Sequence, residues 1–400
     1  MELAHGLLFA LLVGFCLLTE REWDLPRRRI LFYFNSLSLK VGVLCLALLV
    51  ALGPAAAQGA AGVCRHHARD PQPLAAMPLE APRPVSSLRK AILMTYNMKN
   101  VFMSVGKYEV EAIEGGDKAA PTLKRVKKSE GKFKSPEEVR GVQDVLLDVR
   151  PDFVVVQEVE SLVSLKALVG NRYKAFLLEG NDSRGIDIGF LVRADIKADV
   201  EIRTHKSRTW FDPVQQRQVP VFSRDLPVLI LRDHAGGKPV LILVGNHGKS
   251  KRDRPNDPES RKLRTAQYEE AAEIVKELEK EFGSDVPLAL AGDFNTDVVS
   301  APEMNPLRRI LKSAFDRARL RVTPEGKRIT HSYFPFEGQP KYTQMDDILV
   351  NGSLADRIIK TLVYRYRFGD GSERPLPRSY REREKLPSDH YPVWTLLDLS

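Results

Sequence analysis

Past residue 89 the chain alternates short apolar runs with polar, turn-rich stretches. The runs are AILMTYNM, DFVVVQEV, IDIGFLVR, PVLILVGNH, VPLALAGDFN, MDDILVNG and YPVWTLLDL, all rich in Val, Ile and Leu. Their lengths predict strands buried on at least one face. Amphipathic helices intervene. Ser135-Pro136-Glu137-Glu138 reads as a capping box with proline at the first helical position. Behind it Val139, Val142, Val145, Leu146 and Val149 recur at helical spacing. A longer helix is predicted over 261–282, with Leu263, Ile274, Val275, Leu278 and Phe282 on one face. No internal repeat is evident. Strands mixed with a few helices, without regular alternation, predict an α/β layered domain.

Upstream the pattern changes. Residues 3–18 and 41–57 are two apolar runs, both at the short end for a bilayer span. Arg27, Arg28, Arg29 and Lys40 lie between them, and positive residues stay on the cytoplasmic side. With two spans, or with the second run alone acting as signal peptide or anchor, everything after Ala57 lies outside the cytoplasm, periplasmic or extracellular. Ala55-Ala56-Ala57 fits the small-residue pattern of a cleavage site, which would release a secreted protein. Residues 58–88 are rich in Ala, Pro, Arg and Gly and read as a flexible linker, with His66 and His67 solvated within it. The expected organisation is a membrane anchor or signal region over 1–57, the linker over 58–88 and a folded domain over 89–400.

Composition narrows the chemistry. The three cysteines, Cys16, Cys45 and Cys64, all lie in the N-terminal region, so the folded part has no disulfide framework and no thiolate metal site. A metal there must be held by carboxylate, amide or imidazole groups, which favours magnesium, manganese or calcium over structural zinc. The net charge of +9 suggests an anionic partner: nucleic acid, phospholipid or a small phosphate ester.

Chemically versatile residues cluster where the predicted strands end. Asn97 follows AILMTY, Glu158 follows VVVQ, Asn246 and His247 follow LILVG, and Asp293 and Asn295 follow LALAG. Asp389 and His390 immediately precede YPVW. Any one of these could be a turn residue capping a strand; five such places drawn from the same chemical set point to one site. The ordered motifs TYN, QE, NHGKS, GDFN, MDDILV and SDHYP resemble those of the endonuclease/exonuclease/phosphatase superfamily across residues 89–398. The resemblance implies a four-layer αββα sandwich, two packed mixed sheets flanked by helices, with 89–400 as the catalytic domain and the site at one edge of the sheets.

It also implies roles. Glu158 resembles the principal metal ligand, supported by Asn97, with Asp389 also near metal or water; the cofactor would be Mg²⁺ or Mn²⁺. Asp293 would orient or deprotonate the attacking water, and Asn295 would hold water or the phosphoryl group. His247 would donate to a non-bridging phosphate oxygen, with Asn246 and Lys249 as further phosphate contacts. His390 would act as general base or charge donor, with Asp346 fixing its tautomer. Asp347 is the neighbouring candidate; Asp346 is preferred because it directly follows the hydrophobic Met345. Lys99 stands where some relatives carry an acid near the metal, which sets a strict abasic-site repair role in doubt. Asn181-Asp182-Ser183-Arg184-Gly185-Ile186-Asp187 resembles a stretch of bacterial members, and Arg184 is either a phosphate ligand or a turn arginine.

Basic residues crowd the loops: Lys118 to Lys134, Lys249 to Arg254, and Arg365 to Arg383. Such clusters would track a phosphate backbone, and Trp210, Phe211, Tyr364 and Tyr366 could stack bases. The leading expectation is an exported or membrane-tethered nuclease acting on DNA, with RNA as the other nucleic acid. The alternative is a phosphatase or phospholipid phosphodiesterase at the membrane surface, although no long apolar hairpin is evident. A phosphate-binding protein without activity is a third reading, disfavoured because every matched position is chemically competent. Nothing in the chain points to a protein partner.

Overall fold

The computed structural model describes residues 80–102, 134–320, 322–336 and 338–400, all within one unit of the chain, Pro71–Ser400. The two N-terminal apolar runs, residues 58–79 and the lysine-rich stretch before Lys134 lie outside the described residues. Among the described residues no helix is long and apolar enough to cross a membrane.

In chain order the main elements are β1 (Lys90–Val101), α1 (Pro136–Val149), β2 (Phe153–Val159), α2 (Leu162–Val169), β3 (Tyr173–Leu177), β4 (Asp187–Arg193), β5 (Asp199–Arg203), β6 (Val228–Arg232), β7 (Leu241–His247), α3 (Arg261–Phe282), β8 (Leu288–Asp293), β9 (Lys312–Ser313), β10 (Asp346–Val350), β11 (Ile358–Val363) and β12 (Val393–Asp398). They form two six-stranded mixed sheets, ordered β11-β12-β1-β2-β4-β3 and β9-β10-β8-β7-β6-β5. All seven sequence-predicted strands are present, and all are interior. The four edge strands carry weaker apolar patterns, as in β5, where every residue is half-buried. The one interior strand left out above, β6, reads VLILR and is buried throughout.

Two-residue alternation sorts each strand between two interfaces. Leu93, Val155, Phe190, Leu229, Leu243 and Ala289 fill the space between the sheets. Their neighbours face outward. Met94, Val154 and Val156 pack under α1 and α2, and Ile242, Val244 and Leu290 pack under α3. The capping box forms as read: Ser135 Oγ accepts from Glu138 N–H (3.2 Å) and Glu138 Oε2 from Ser135 N–H (2.8 Å). The fold begins earlier than 89. Arg83 pairs in parallel with Ile196 and bonds Asp195 and Asp152, while Val85 and Leu88 are buried in the inter-sheet core. The linker expected over 58–88 therefore gives way to folded chain by Arg83, because two apolar side chains there find a core to enter.

Each sheet has one parallel pair at its centre, β1–β2 and β7–β8, and each pair has a helix between its strands in sequence. This repeated strand–helix–strand topology has no counterpart in sequence periodicity. Parallel strands end at the same edge, so Asn97 and Glu158 emerge together, as do His247 and Asp293. The β7–β8 approach depends on Gly292, where φ is 156° and a Cβ would stand 1.8 Å from the Asn246 carbonyl oxygen. Gly292→Ala should destabilise the fold by about 3 kcal/mol or more, since backbone rather than a pliable side chain must move. Urea unfolding of the variant against wild type checks this.

Candidate active site

Strand register assembles the site. His247 faces Asp293 across β7–β8, and Asp293 faces Asp346 across β8–β10. The segment before β12 adds Ser388, Asp389 and His390. In the first sheet the β1–β2 ladder breaks between Asn97/Gln157 and Val101/Val159, leaving Glu158 opposite three residues of β1. Glu158, Lys99 and Asn100 all have positive φ. Strained backbone of this kind persists where surrounding bonds over-determine it. Here Asn100 N–H donates to Glu158 Oε2 (3.0 Å), and Lys99 N–H donates to Asn97 Oδ1 (3.0 Å).

The two sheets are joined through polar side chains. Asn97 Nδ2 donates to Asp293 Oδ2 (3.0 Å) and reaches Glu158 Oε1 (3.4 Å). Asn295 turns back with φ 49° and donates to both oxygens of Asp293, from N–H at 2.6 Å and from Nδ2 at 2.9 Å. Asn246 Nδ2 donates to the Asp293 carbonyl (2.9 Å) and is buried; this contact positions β8 against β7 instead of opening toward a phosphate. His390 Nδ1 bonds Asp346 Oδ2 (2.8 Å), while its Nε2 lies 3.8 Å from Asp293 Oδ2. Strand alternation sends Asp347 the other way, to Ser313 Oγ (2.8 Å) and Gln344 Nε2 (3.0 Å). The preference for Asp346 over its neighbour thus has a geometric basis.

Charge is crowded. Burial pushes the Glu158 carboxyl up, and Asp389 adds to the shift. Burial likewise raises Asp293 to about 6, against the pull of His390. Burial works against a proton on His390, but Asp346 and Asp293 outweigh it and hold the imidazole well above its ordinary range. His247 is the opposite case. Burial first, then Arg224, His390 and Arg184, hold it well below its ordinary range, so the ring is neutral. Its Nε2 lies 3.5 Å from Asp293 and 3.7 Å from Glu158, and its buried Nδ1 has no hydrogen-bond partner. Asp389 is pushed up by burial, but His390, His331, Lys99 and Arg383 together bring it below its ordinary value.

The donor set fits a hard divalent cation. Glu158, Asp293 and Asp389 are close enough to perturb one another, and Asp346 Oδ1 is buried without a partner. Ligand atoms of Asp293, Asp346 and His390 also lie within 4.8 Å of one another. A protonated His390 offers no lone pair, so the Glu158 side suits a cation better.

Opposite the acids stands a cationic wall with a member the motifs did not reveal. Arg224 is buried, donates to Gly248 O (3.0 Å) and lies 3.2 Å from Asp182 Oδ2. Its charge reaches Glu158 and Asp293. Its signal in sequence is an arginine set between the apolar pairs Val221-Phe222 and Leu226-Pro227. Arg184 contacts both carboxylate oxygens of Asp182 (3.2 Å each). Lys249 is shifted down by burial, then by Arg224 and Arg184. Thr330 was also missed; its Oγ1 accepts from Asp346 N–H (2.9 Å). Lys134, read above as part of a basic loop cluster, instead donates from Nζ to Pro387 O (2.5 Å), and burial lowers it to about 8. Two expected base-stacking residues are corrected. Tyr364 and Tyr366 are buried, and Tyr366 OH bonds the His390 carbonyl (2.5 Å), because an aromatic ring beside a core is worth more inside it.

A family model described as the endonuclease/exonuclease/phosphatase family matches residues 94–390. Among solved structures the chain is similar to truncated Caenorhabditis elegans TDP2, with 18% identity, 77% of this chain and 98% of that one covered, and a TM-score of 0.48. It is also similar to an endonuclease/exonuclease/phosphatase from Bacteroides vulgatus (16%; 78% and 99%; 0.47). A third is a mannosyl-6-phosphatase from Bacteroides thetaiotaomicron VPI-5482 (16%; 77% and 99%; 0.45). No curated protein matches the sequence.

Asp347 gives a test of the structural half of the Asp346-Asp347 pair. Burial raises its carboxyl from 3.8 to about 7. A raised acid contributes stability that is complete below its ordinary value and is lost as pH rises through about 7. Asp347→Asn should therefore match wild type near pH 4 and exceed it at pH 8, by up to about 4 kcal/mol. Urea unfolding at the two pH values measures the difference.

Proposed function

The chain belongs to the endonuclease/exonuclease/phosphatase family, a family of metal-dependent phosphoesterases, and on that premise we propose that it is a nuclease hydrolysing phosphodiester bonds of DNA, with RNA as a second substrate. The observation that carries the chemistry is the line Asp346–His390–Asp293 beside Glu158. The cationic wall of Arg184, Arg224 and Lys249 supports a substrate with negative charge on both sides of the scissile bond.

Glu158, with Asp389 and Asn97 beside it, would hold Mg²⁺ or Mn²⁺. Bound there, the cation offsets charge on the phosphoryl oxygens. Asp293, raised to about 6, is ionised at neutral pH and still basic enough to take a proton from water; Asn97 and Asn295 aim its carboxylate. His390, kept protonated by Asp346 and Asp293, donates to the phosphoryl group. This assigns it the charge-donor role of the two open in the sequence. Neutral His247 donates from Nε2 to a non-bridging oxygen, and Arg224 and Lys249 neutralise the opposite side.

The N-terminal apolar runs and arginines support display of the domain outside the cytoplasm, tethered or released near Ala57. The same runs favour a second reading, a phosphatase or phospholipid phosphodiesterase working at the membrane surface.

Full-length protein with Mg²⁺ should nick supercoiled plasmid, and chelator or Asp293→Ala should abolish nicking. Nicking unchanged in the variant would sink the mechanism; no nicking by folded wild type, with release of phosphate or headgroup from a lipid ester, would move the assignment to the second reading. The pH profile is a further check. Wild-type kcat/KM should rise through about pH 6 as Asp293 loses its proton. Asp346→Asn should lower kcat by about 10²–10⁴-fold and move the alkaline limb to lower pH, since losing a negative neighbour lowers the His390 pKa.

A further inference from the structure

An aromatic slot stands beside the site and takes no part in the chemistry above. The hairpin His331–Tyr333 and Lys341–Thr343 forms one wall with its tip, Phe334, Pro335 and Phe336. The turn carrying Arg378 and Tyr380 forms the other. Between them lies an open cleft of about 500 Å³. The walls are tied together, with Tyr342 OH donating to Pro377 O (2.6 Å) and Arg383 to Ser332 O (3.3 Å). Phe336 is fully exposed, at 103%, and Tyr380 and Tyr333 are more than half exposed. Phe334, Phe336 and Tyr380 line one cleft together with Arg378, and rings gathered on the surface beside a charge mark a binding surface.

The slot is coupled to the site by one guanidinium. Arg383 lies over the Tyr380 ring (4.8 Å) and the Phe334 ring (5.9 Å), and its NH1 is 4.0 Å from Asp389. At the same end His331 stacks against His390, with ring centroids 4.6 Å apart. A group seated in the slot is thus close to whatever is held by Asp389 and His390.

We infer that this slot binds a nucleobase of a single-stranded segment adjoining the scissile phosphate, an assignment that rests on the nuclease reading. The chemistry matches on both counts. Exposed rings offer stacking faces to a planar base of any identity, and the exposed Arg378 supplies charge for an adjoining phosphate. A cleft lined by rings and prolines, with the Arg378 guanidinium at its margin and Arg383 over the Tyr380 and Phe334 rings, suits a flat ring that carries a phosphate on either side.

The test compares a single-stranded oligonucleotide with the same sugar–phosphate backbone carrying abasic residues, using full-length protein and Mg²⁺. Phe336→Ala and Tyr380→Ala, both at exposed positions, should each raise KM on the base-bearing strand by about 5- to 100-fold, the range spanned by one base–aromatic stack. They should leave kcat, and cleavage of the abasic backbone, unchanged, and Tyr380→Trp should restore KM. Unchanged KM in both alanine variants, with wild type cutting the strand, would overturn the slot and leave the nuclease standing. Wild type that cuts neither strand but hydrolyses a lipid phosphodiester, with Phe336→Ala weakening binding to phosphatidylglycerol vesicles, would overturn both in favour of a membrane contact.

Discussion

Holding Glu158, Asp293, Asp346 and Asp389 together where the two sheets end is the constraint on which the rest of the site depends. Four carboxylates cannot all be ionised in a buried space without compensation. His390 answers two of them from the ends of one ring, toward Asp346 and Asp293. Arg224 answers from the opposite wall and is itself fixed to Asp182 and Gly248. The least compensated carboxyl is Glu158, raised by burial and then by Asp389 and Asp293. A divalent cation there would relieve the most repulsion.

The fold solves the positioning problem by repetition. Each sheet places one parallel pair at its centre, and the polar residues at the ends of both pairs meet across the sandwich through Asn97 and Asp293. Positions that admit little change lie where backbone, not side chain, makes the approach. Gly292 lets β8 close on Asn246. Gly248, whose carbonyl accepts from both Arg224 and Asn295, would carry a Cβ 2.7 Å from the Phe294 carbonyl oxygen. The two histidines then diverge by environment. His390 is held by Asp346 and Asp293 strongly enough to keep a proton against burial, whereas burial first, and then the charges of Arg224, His390 and Arg184, keep His247 neutral. One residue type is thus held in two protonation states within the same site.

The sequence by itself determined the α/β class, seven of the eight interior strands, both long helices, with bounds for the second, and the family. Apolar runs and helical spacing are local patterns, and a fully buried strand must be apolar whatever it packs against. The ordered polar motifs likewise sit at strand ends, so their convergence was legible as soon as the strands were. Edge strands were not, since half-buried residues have no need of a strong pattern. Only the tertiary structure decided which charges face one another. Arg224 and Thr330 belong to no motif, and they reach the site through pairings many residues apart. Tyr364 and Tyr366 looked like stacking residues beside basic neighbours, yet the core claimed them. The aromatic slot was equally hidden, because Phe336 and Tyr380 lie 44 residues apart in sequence, and only the folded hairpin brings them to the same cavity.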